Sequence, residues 1–118
     1  MALFYEPSQQ YLSKINTGGT DYLKAAKSNL DKFVTSGLAD GKVAFQNAAE
    51  TMYFCRSDTD SVKLSEVDIE NNCIYDYEFV FDFSHGIALK ADNGKYLDVP
   101  NVYSKFIYAT SDSPVYFH

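Results

Sequence analysis

The sequence predicts an all-β chain built from one unit of about forty residues used three times. Three observations carry this expectation. First, three eleven-residue segments align without a gap: ALFYEPSQQYL from Ala2, VAFQNAAETMY from Val43 and IALKADNGKYL from Ile87. Second, their starting points recur at nearly even spacing along the 118 residues. Third, the second half of each unit runs into an aromatic strand, around Phe33, around Phe79 with Phe81, and around Phe117.

Each aligned segment opens with alternating apolar residues, crosses a polar turn and returns to an apolar pair, which is the pattern of a β-hairpin. The third is clearest, because Asp92-Asn93-Gly94 contains the Asn-Gly signal of a tight hairpin turn. Four short strands per unit would make about twelve, at the strand spacing expected of barrels and sandwiches. Units that cannot each bury a core alone suggest closure into one shared barrel. The expected fold is therefore a β-trefoil occupying residues 1–118 as one domain, with units near 1–40, 41–84 and 85–118; a non-symmetric sandwich or barrel is the alternative. One stretch fits less well. In TDYLKAAKSNLDKF, Leu23, Ala26 and Leu30 stand near helical spacing. With Gly18-Gly19 before it, this stretch reads as a loop holding one helical turn, with a short helix as the alternative. Phe4, Leu12, Phe33, Phe45, Phe79, Leu89, Leu97 and Phe117 are expected in the core.

A hydrophobic share of 46% allows a real core, so disorder is not expected. The net charge of −6 disfavours nucleic acid and anionic membranes as partners, since both select a basic surface. No apolar run approaches the length of a membrane span, and MALFYEPSQQ lacks the marks of a signal peptide. Cys55 and Cys73 are read as reduced thiols in a cytoplasmic protein; a disulfide between them, in a secreted protein, is the alternative.

Three stretches carry a family resemblance: YLSKINTGGTDYLKAAKSNLDKF (residues 11–33), GKVAF (41–45) and HGIALKADNGKYL (85–97). Together they resemble the agglutinin domains of the amaranthin-like plant lectins, and the third is also similar to the repeats of the fascin and hisactophilin trefoils. The resemblance implies a β-trefoil that binds glycans of the galactose or N-acetylgalactosamine type. Two departures stand out. Amaranthin-like binding is associated with paired domains, and the histidine clusters of hisactophilin are absent, with only His85 and His118 here. A ricin-type Gln-x-Trp sugar motif is ruled out because the chain has no Trp.

Catalysis finds little support. Neither histidine belongs to a Ser-His-Asp or Cys-His pattern, and no phosphate-binding glycine loop is present. The two cysteines and two histidines lack zinc-site spacing, so no metal or other cofactor is expected. Asp58, Asp60, Glu66, Asp68 and Glu70 read as solvated loop charge rather than a glycosidase pair. Sugar recognition asks less: a tyrosine face for the apolar side of a ring, and fixed polar groups for hydroxyls. Loops after the first hairpin of each unit offer such groups. The candidates are Asn16 and Asp21 in the first unit, Arg56 and Asp58 in the second, and Asp98, Asn101 and Tyr103 in the third.

The expected function is non-catalytic carbohydrate binding. The alternative is a protein-interaction module, a fascin-like cytoskeletal binder or a trefoil protease inhibitor, acting through the polar segment from Cys55 to Tyr75. A homodimer is also expected. The truncated end PVYFH leaves room for an uncovered edge, and the segments 75–79 and 103–108 hold more Tyr and Phe than one small core takes.

Overall fold

The structure, a computed structural model, describes residues 1–27, 31–66 and 73–118. Within them the chain is all-β, with eleven strands and two single-turn 3₁₀ segments at Glu6–Ser8 and Ala39–Gly41. The strands are β1 (Phe4–Tyr5), β2 (Gln10–Thr17), β3 (Thr20–Lys27), β4 (Phe33–Gly37), β5 (Val43–Asn47), β6 (Tyr53–Arg56), β7 (Val62–Ser65), β8 (Glu78–Asp82), β9 (Gly86–Lys90), β10 (Tyr96–Asp98) and β11 (Tyr108–Ser111). They form a seven-stranded antiparallel sheet in the order β1-β2-β3-β7-β6-β5-β4 and a four-stranded one in the order β11-β10-β9-β8.

All three expected hairpins are present, as β1–β2, β5–β6 and β9–β10. Local polar chemistry closes their turns. Asn47 Oδ1 accepts the backbone N–H groups of Thr51 and Met52, both at 2.9 Å, so one side chain folds the second turn. In the third, Gly94 takes a φ of +79° and donates to Ala91 O at 3.0 Å.

The stretch with helical spacing is a strand. Gly18 and Gly19, at φ +61° and +87°, reverse the chain in two residues, the backbone of a tight turn whose twist suits a hairpin. β3 then runs back along β2 from Thr17↔Thr20 to Tyr11↔Lys27. Leu23 and Ala25 are buried while Tyr22 and Lys24 are half-exposed, a period of two rather than 3.6. Leu30, the third residue of the helical spacing, lies outside the described residues, as do Asp68 and Glu70.

Backbone bonds outside the strand ladders tie the two sheets together. Val43 and Tyr77 exchange two at 2.9 Å, Ile87 and Phe117 exchange two at 2.9 and 2.7 Å, and Phe4 and His118 exchange two at 2.9 Å. Phe33 N donates to Met1 O at 2.6 Å. The end PVYFH is therefore paired on both sides, to β9 and to β1, and the uncovered edge expected there does not exist.

One apolar cluster fills the interior, including Leu3, Phe45 and Leu89; Leu12, Phe54 and Leu97; Leu23, Val62 and Ile107; Phe33, Tyr77 and Phe117. Burying each such side chain is worth about 1.5–3 kcal/mol before entropy is counted. Phe54 sits between Phe33 and Phe45, with ring centroids 5.0 and 5.5 Å away. Phe79, expected in the core, is 39% exposed, and Tyr77 takes the interior place two residues earlier. Tyr77 can be buried because its hydroxyl donates to Phe54 O at 3.1 Å; burial pushes that phenol far above its ordinary pKa. Phe4 is only half-buried, its ring packed edge-on to Tyr11.

Cys55 and Cys73 form a disulfide, with Cα atoms 5.0 Å apart, which corrects the reading as reduced thiols. The main-chain bond from Arg56 N to Ile74 O at 2.9 Å holds the two chain segments together beside the disulfide.

Candidate functional site

The seven candidate residues fall into two groups. Asp21, Arg56 and Asp58 line one open cleft of about 680 Å³ between the β2–β3 turn and strands β6 and β7. Asp98 ends β10, and Asn101 and Tyr103 lie on the β10–β11 connection, all three outside this lining. Asn16 is outside it as well, but it acts on a residue inside: its Nδ2 donates to Asp21 Oδ1 at 3.0 Å across the hairpin. That bond fixes Asp21 as an oriented acceptor at the cleft wall.

Arg56 has another task. Its Nε and Nη2 donate to the two carboxylate oxygens of Asp92, the second at 2.8 Å, and its Nη1 donates to Asp60 Oδ1 at 3.0 Å and Ser57 O at 2.9 Å. Asp92 and its hydrogen bonds raise the Arg56 pKa, while Arg56 holds the Asp92 carboxyl below the ordinary carboxylate value. A guanidinium so engaged shapes the cleft from behind.

Asp58 stands exposed beside it at a turn where Ser57, Thr59 and Ser61 bond to one another through their hydroxyls at 2.8–3.2 Å. The remaining polar wall comes from Thr20, Lys63, Ser65 and Glu66. Of these, only Glu66 drew notice in the sequence, as loop charge. Lys63 and Ser65 alternate with buried Val62 and Leu64 along β7, so the period-two pattern itself marked them as facing outward.

In the third unit the polar groups are spent on the loop. Asn101 Oδ1 accepts from Tyr103 N at 2.9 Å and Ser104 N at 3.1 Å, and Asn101 O accepts from Lys105 N at 2.9 Å. Asp98 Oδ1 accepts from Val99 N at 2.7 Å, and its charge adds to burial in raising the Tyr5 phenol. Tyr103 is left 92% exposed at the tip.

His85 has Asp82 and Ser84 beside it, but the geometry is that of a turn. Both Asp82 Oδ1, at 2.9 Å, and Ser84 Oγ, at 3.3 Å, meet the same ring nitrogen, Nδ1. A relay needs the acid and the nucleophile on opposite nitrogens of the ring. Asp82 Oδ1 also accepts from Ser84 Oγ and from the backbone N–H groups of Ser84 and His85, which closes the β8–β9 turn.

Among the described residues no group of three or more His, Cys, Asp or Glu side chains could hold a metal ion. No described helix is long and apolar enough to cross a membrane. No protein-family model matches the sequence, and no curated protein matches it.

Proposed function

We propose that the chain is a β-trefoil acting as a non-catalytic carbohydrate-binding module. Support for the trefoil comes from equivalent places in the three units. The hairpin registers align Phe4 with Tyr11, Gln46 with Tyr53 and Lys90 with Tyr96, so a tyrosine recurs at one position of every hairpin. Met1–Phe33, Val43–Tyr77 and Ile87–Phe117 are likewise equivalent contacts. Taken in turn, the pairings Met1–Phe33, β4–β5, Val43–Tyr77, β8–β9, Ile87–Phe117 and His118–Phe4 make a ring, with Phe117 and His118 in the place of a twelfth strand. On this reading the first unit starts at Met1, one residue earlier than the ungapped alignment from Ala2.

The observation that carries the functional reading is the cleft that gathers Asp21, Asp58, Thr20, Lys63, Ser65 and Glu66. Oriented carboxylates and hydroxyls on a shallow wall suit the hydroxyls of a neutral saccharide. The preference for galactose or N-acetylgalactosamine rests on the resemblance to the agglutinin domains. The Cys55–Cys73 disulfide favours an oxidising compartment over the cytoplasm as the place of action.

A glycan array run at high protein concentration, with thermal shifts on adding the two sugars, tests the reading. Binding is expected, with Asp21→Ala weakening it at least tenfold while the fold is kept. Silence on the array together with unmoved melting temperatures overturns it.

A further inference from the structure

The outer edge of β8 combines unpaired backbone with exposed aromatic side chains. Phe79, Phe81 and the adjoining turn residue Phe83 are 39%, 64% and 96% exposed. Their rings expose about 400 Å² in all, taking roughly 200 Å² for a full ring. That is the size of the largest apolar patch on a typical monomer, which is often functional, and about half of what one partner gives to a standard interface.

The backbone beneath is open as well. β8 is the last strand of the four-stranded sheet. Ile87 faces Phe81 across the β8–β9 ladder, yet both its main-chain bonds go to Phe117 on its other side. Ladder geometry then turns the N–H and C=O of Phe81, and of Phe79 two residues away, outward from β9. Tyr77, in the same phase, spends its outward pair on Val43. Beyond that point the neighbouring chain bends away at Ala39–Gly41. The edge of Phe79 and Phe81 has no backbone partner among the described residues.

We propose that this edge pairs with the same edge of a second copy, β8 against β8 about a two-fold axis at Phe81. The phase of the open groups requires odd residues to face odd residues. Registers centred on Glu78 or Phe79 would set an open residue against Tyr77, whose outward pair is already spent on Val43. Three two-fold registers remain within the strand, centred on Val80, Phe81 or Asp82, and charge chooses among them. Centring the axis on Val80 sets Glu78 against Asp82 of the other copy, and centring it on Asp82 sets that carboxylate against itself. Like charges directly opposite are destabilising. Centring on Phe81 puts Glu78 opposite Ser84, Val80 opposite Asp82 and Phe81 opposite its own copy, with Phe83 reaching Phe79. A two-fold pairing uses one surface twice and closes. It also covers an edge that would otherwise recruit other chains. The pairing stands apart from the sugar-binding reading, because the cleft residues lie on β3, β6 and β7 and the turns beside them.

Light scattering and sedimentation across a dilution series test it. The mass is expected to rise from the 13.3 kDa of one chain to twice that value in the micromolar range. Raising the salt should favour the dimer, since each chain carries −6. Phe81→Lys, at an exposed position, should keep the circular dichroism spectrum and melting temperature and stay monomeric throughout. Under mild oxidation Phe81→Cys should give a covalent dimer, because residues facing each other across the axis have Cα atoms about 5.5 Å apart. A wild-type mass that stays at one chain up to hundreds of micromolar overturns the proposal. So does a Phe81→Lys variant that still dimerises, or a dimer in which Phe81→Cys fails to cross-link.

Discussion

Arg56 on β6 grips Asp92 in the β9–β10 turn through two parallel N–H···O bonds, joining the seven-stranded sheet to the four-stranded one across 36 residues of sequence. Around this pair, Asp60 Oδ1 accepts from both Arg56 and Asn93, and Asn93 Nδ2 also donates to Ala109 O at 3.0 Å. The side chains of Arg56 and Asp92 are 13% and 29% exposed, so water competes only partly for these bonds. The fork geometry is what allows one cation to serve Asp92, Asp60 and Ser57 together.

Removing that cation should cost stability rather than only ligand affinity. Arg56→Ala is expected to lower unfolding stability by about 2–3 kcal/mol, because it takes both side-chain donors from Asp92 and leaves Asp60 with Asn93 alone. Arg56→Lys should recover less than half of the loss, since an ammonium cannot span both oxygens of Asp92 and reach Asp60. Urea unfolding without sugar measures both. A stable Arg56→Ala protein would mean that the grip contributes little to the fold.

Gly86 is the second position where one atom should matter. It takes a φ of +109° just after the β8–β9 turn, and a Cβ placed there would lie 2.2 Å from the carbonyl oxygen of Phe117. That oxygen accepts from Ile87 N at 2.9 Å, so it cannot retreat without losing a bond between β9 and the chain end. Gly86→Ala therefore meets both backbone strain and a collision with main chain. The expected loss is on the order of 3 kcal/mol, read as a fall in the urea midpoint. Gly94→Ala is the contrast: its φ is +79° but nothing stands within 4 Å of its Cβ, so it should lose only about 1 kcal/mol.

The hairpins were legible in the sequence because each is encoded locally, by alternation on both arms and a turn residue between them. β3 was not, because Leu23, Ala26 and Leu30 mimic a helical face while its true inward residues, Leu23 and Ala25, are both small or common in helices. The deciding residues are Gly18 and Gly19: a two-residue turn commits the chain to return along β2, and tertiary pairing then overrides propensity. The run from Tyr75 to Phe83 places an aromatic at every second residue, so its alternation was visible but its depth was not. Which aromatic enters the core depends on where β8 meets β5, and the bond between Tyr77 and Val43 settles that over a long range in sequence.

The candidate site was legible to a similar degree. Asp21 reaches the cleft from the start of β3, beside the Gly18-Gly19 turn, and Asp58 from the turn after β6. Asn101 and Arg56 look the same in sequence, yet one folds its own loop and the other grips a turn from a distant unit. Residue type gives bonding capacity; only the fold tells where that capacity is spent.

Acid should expose two of these contacts. Hydrogen bonds from His85 and Ser84, side chain and backbone together, hold the Asp82 carboxyl at about 2, against an ordinary value of 3.8. The Arg56 bond, with its charge, holds Asp92 below the same ordinary value. In the unfolded chain both carboxyls return to the ordinary value, so between that value and the folded one the unfolded state binds more protons. Stability then rises with pH through this window. The contribution of each group is complete above about pH 4 and is lost as pH falls through its folded value, near 2 for Asp82. The Asp82 side chain is 39% exposed, more open to water than that of Asp92, and should contribute the smaller part. Asp92, partly buried against Arg56, should contribute the larger. Urea unfolding between pH 2 and 7 measures the slope. Asp92→Asn is expected to lower stability at pH 7 and to flatten the fall below pH 4, with Asp82→Asn doing the same more weakly. If both variants kept the wild-type acid slope, neither carboxylate would be linked to folding in the way these contacts require.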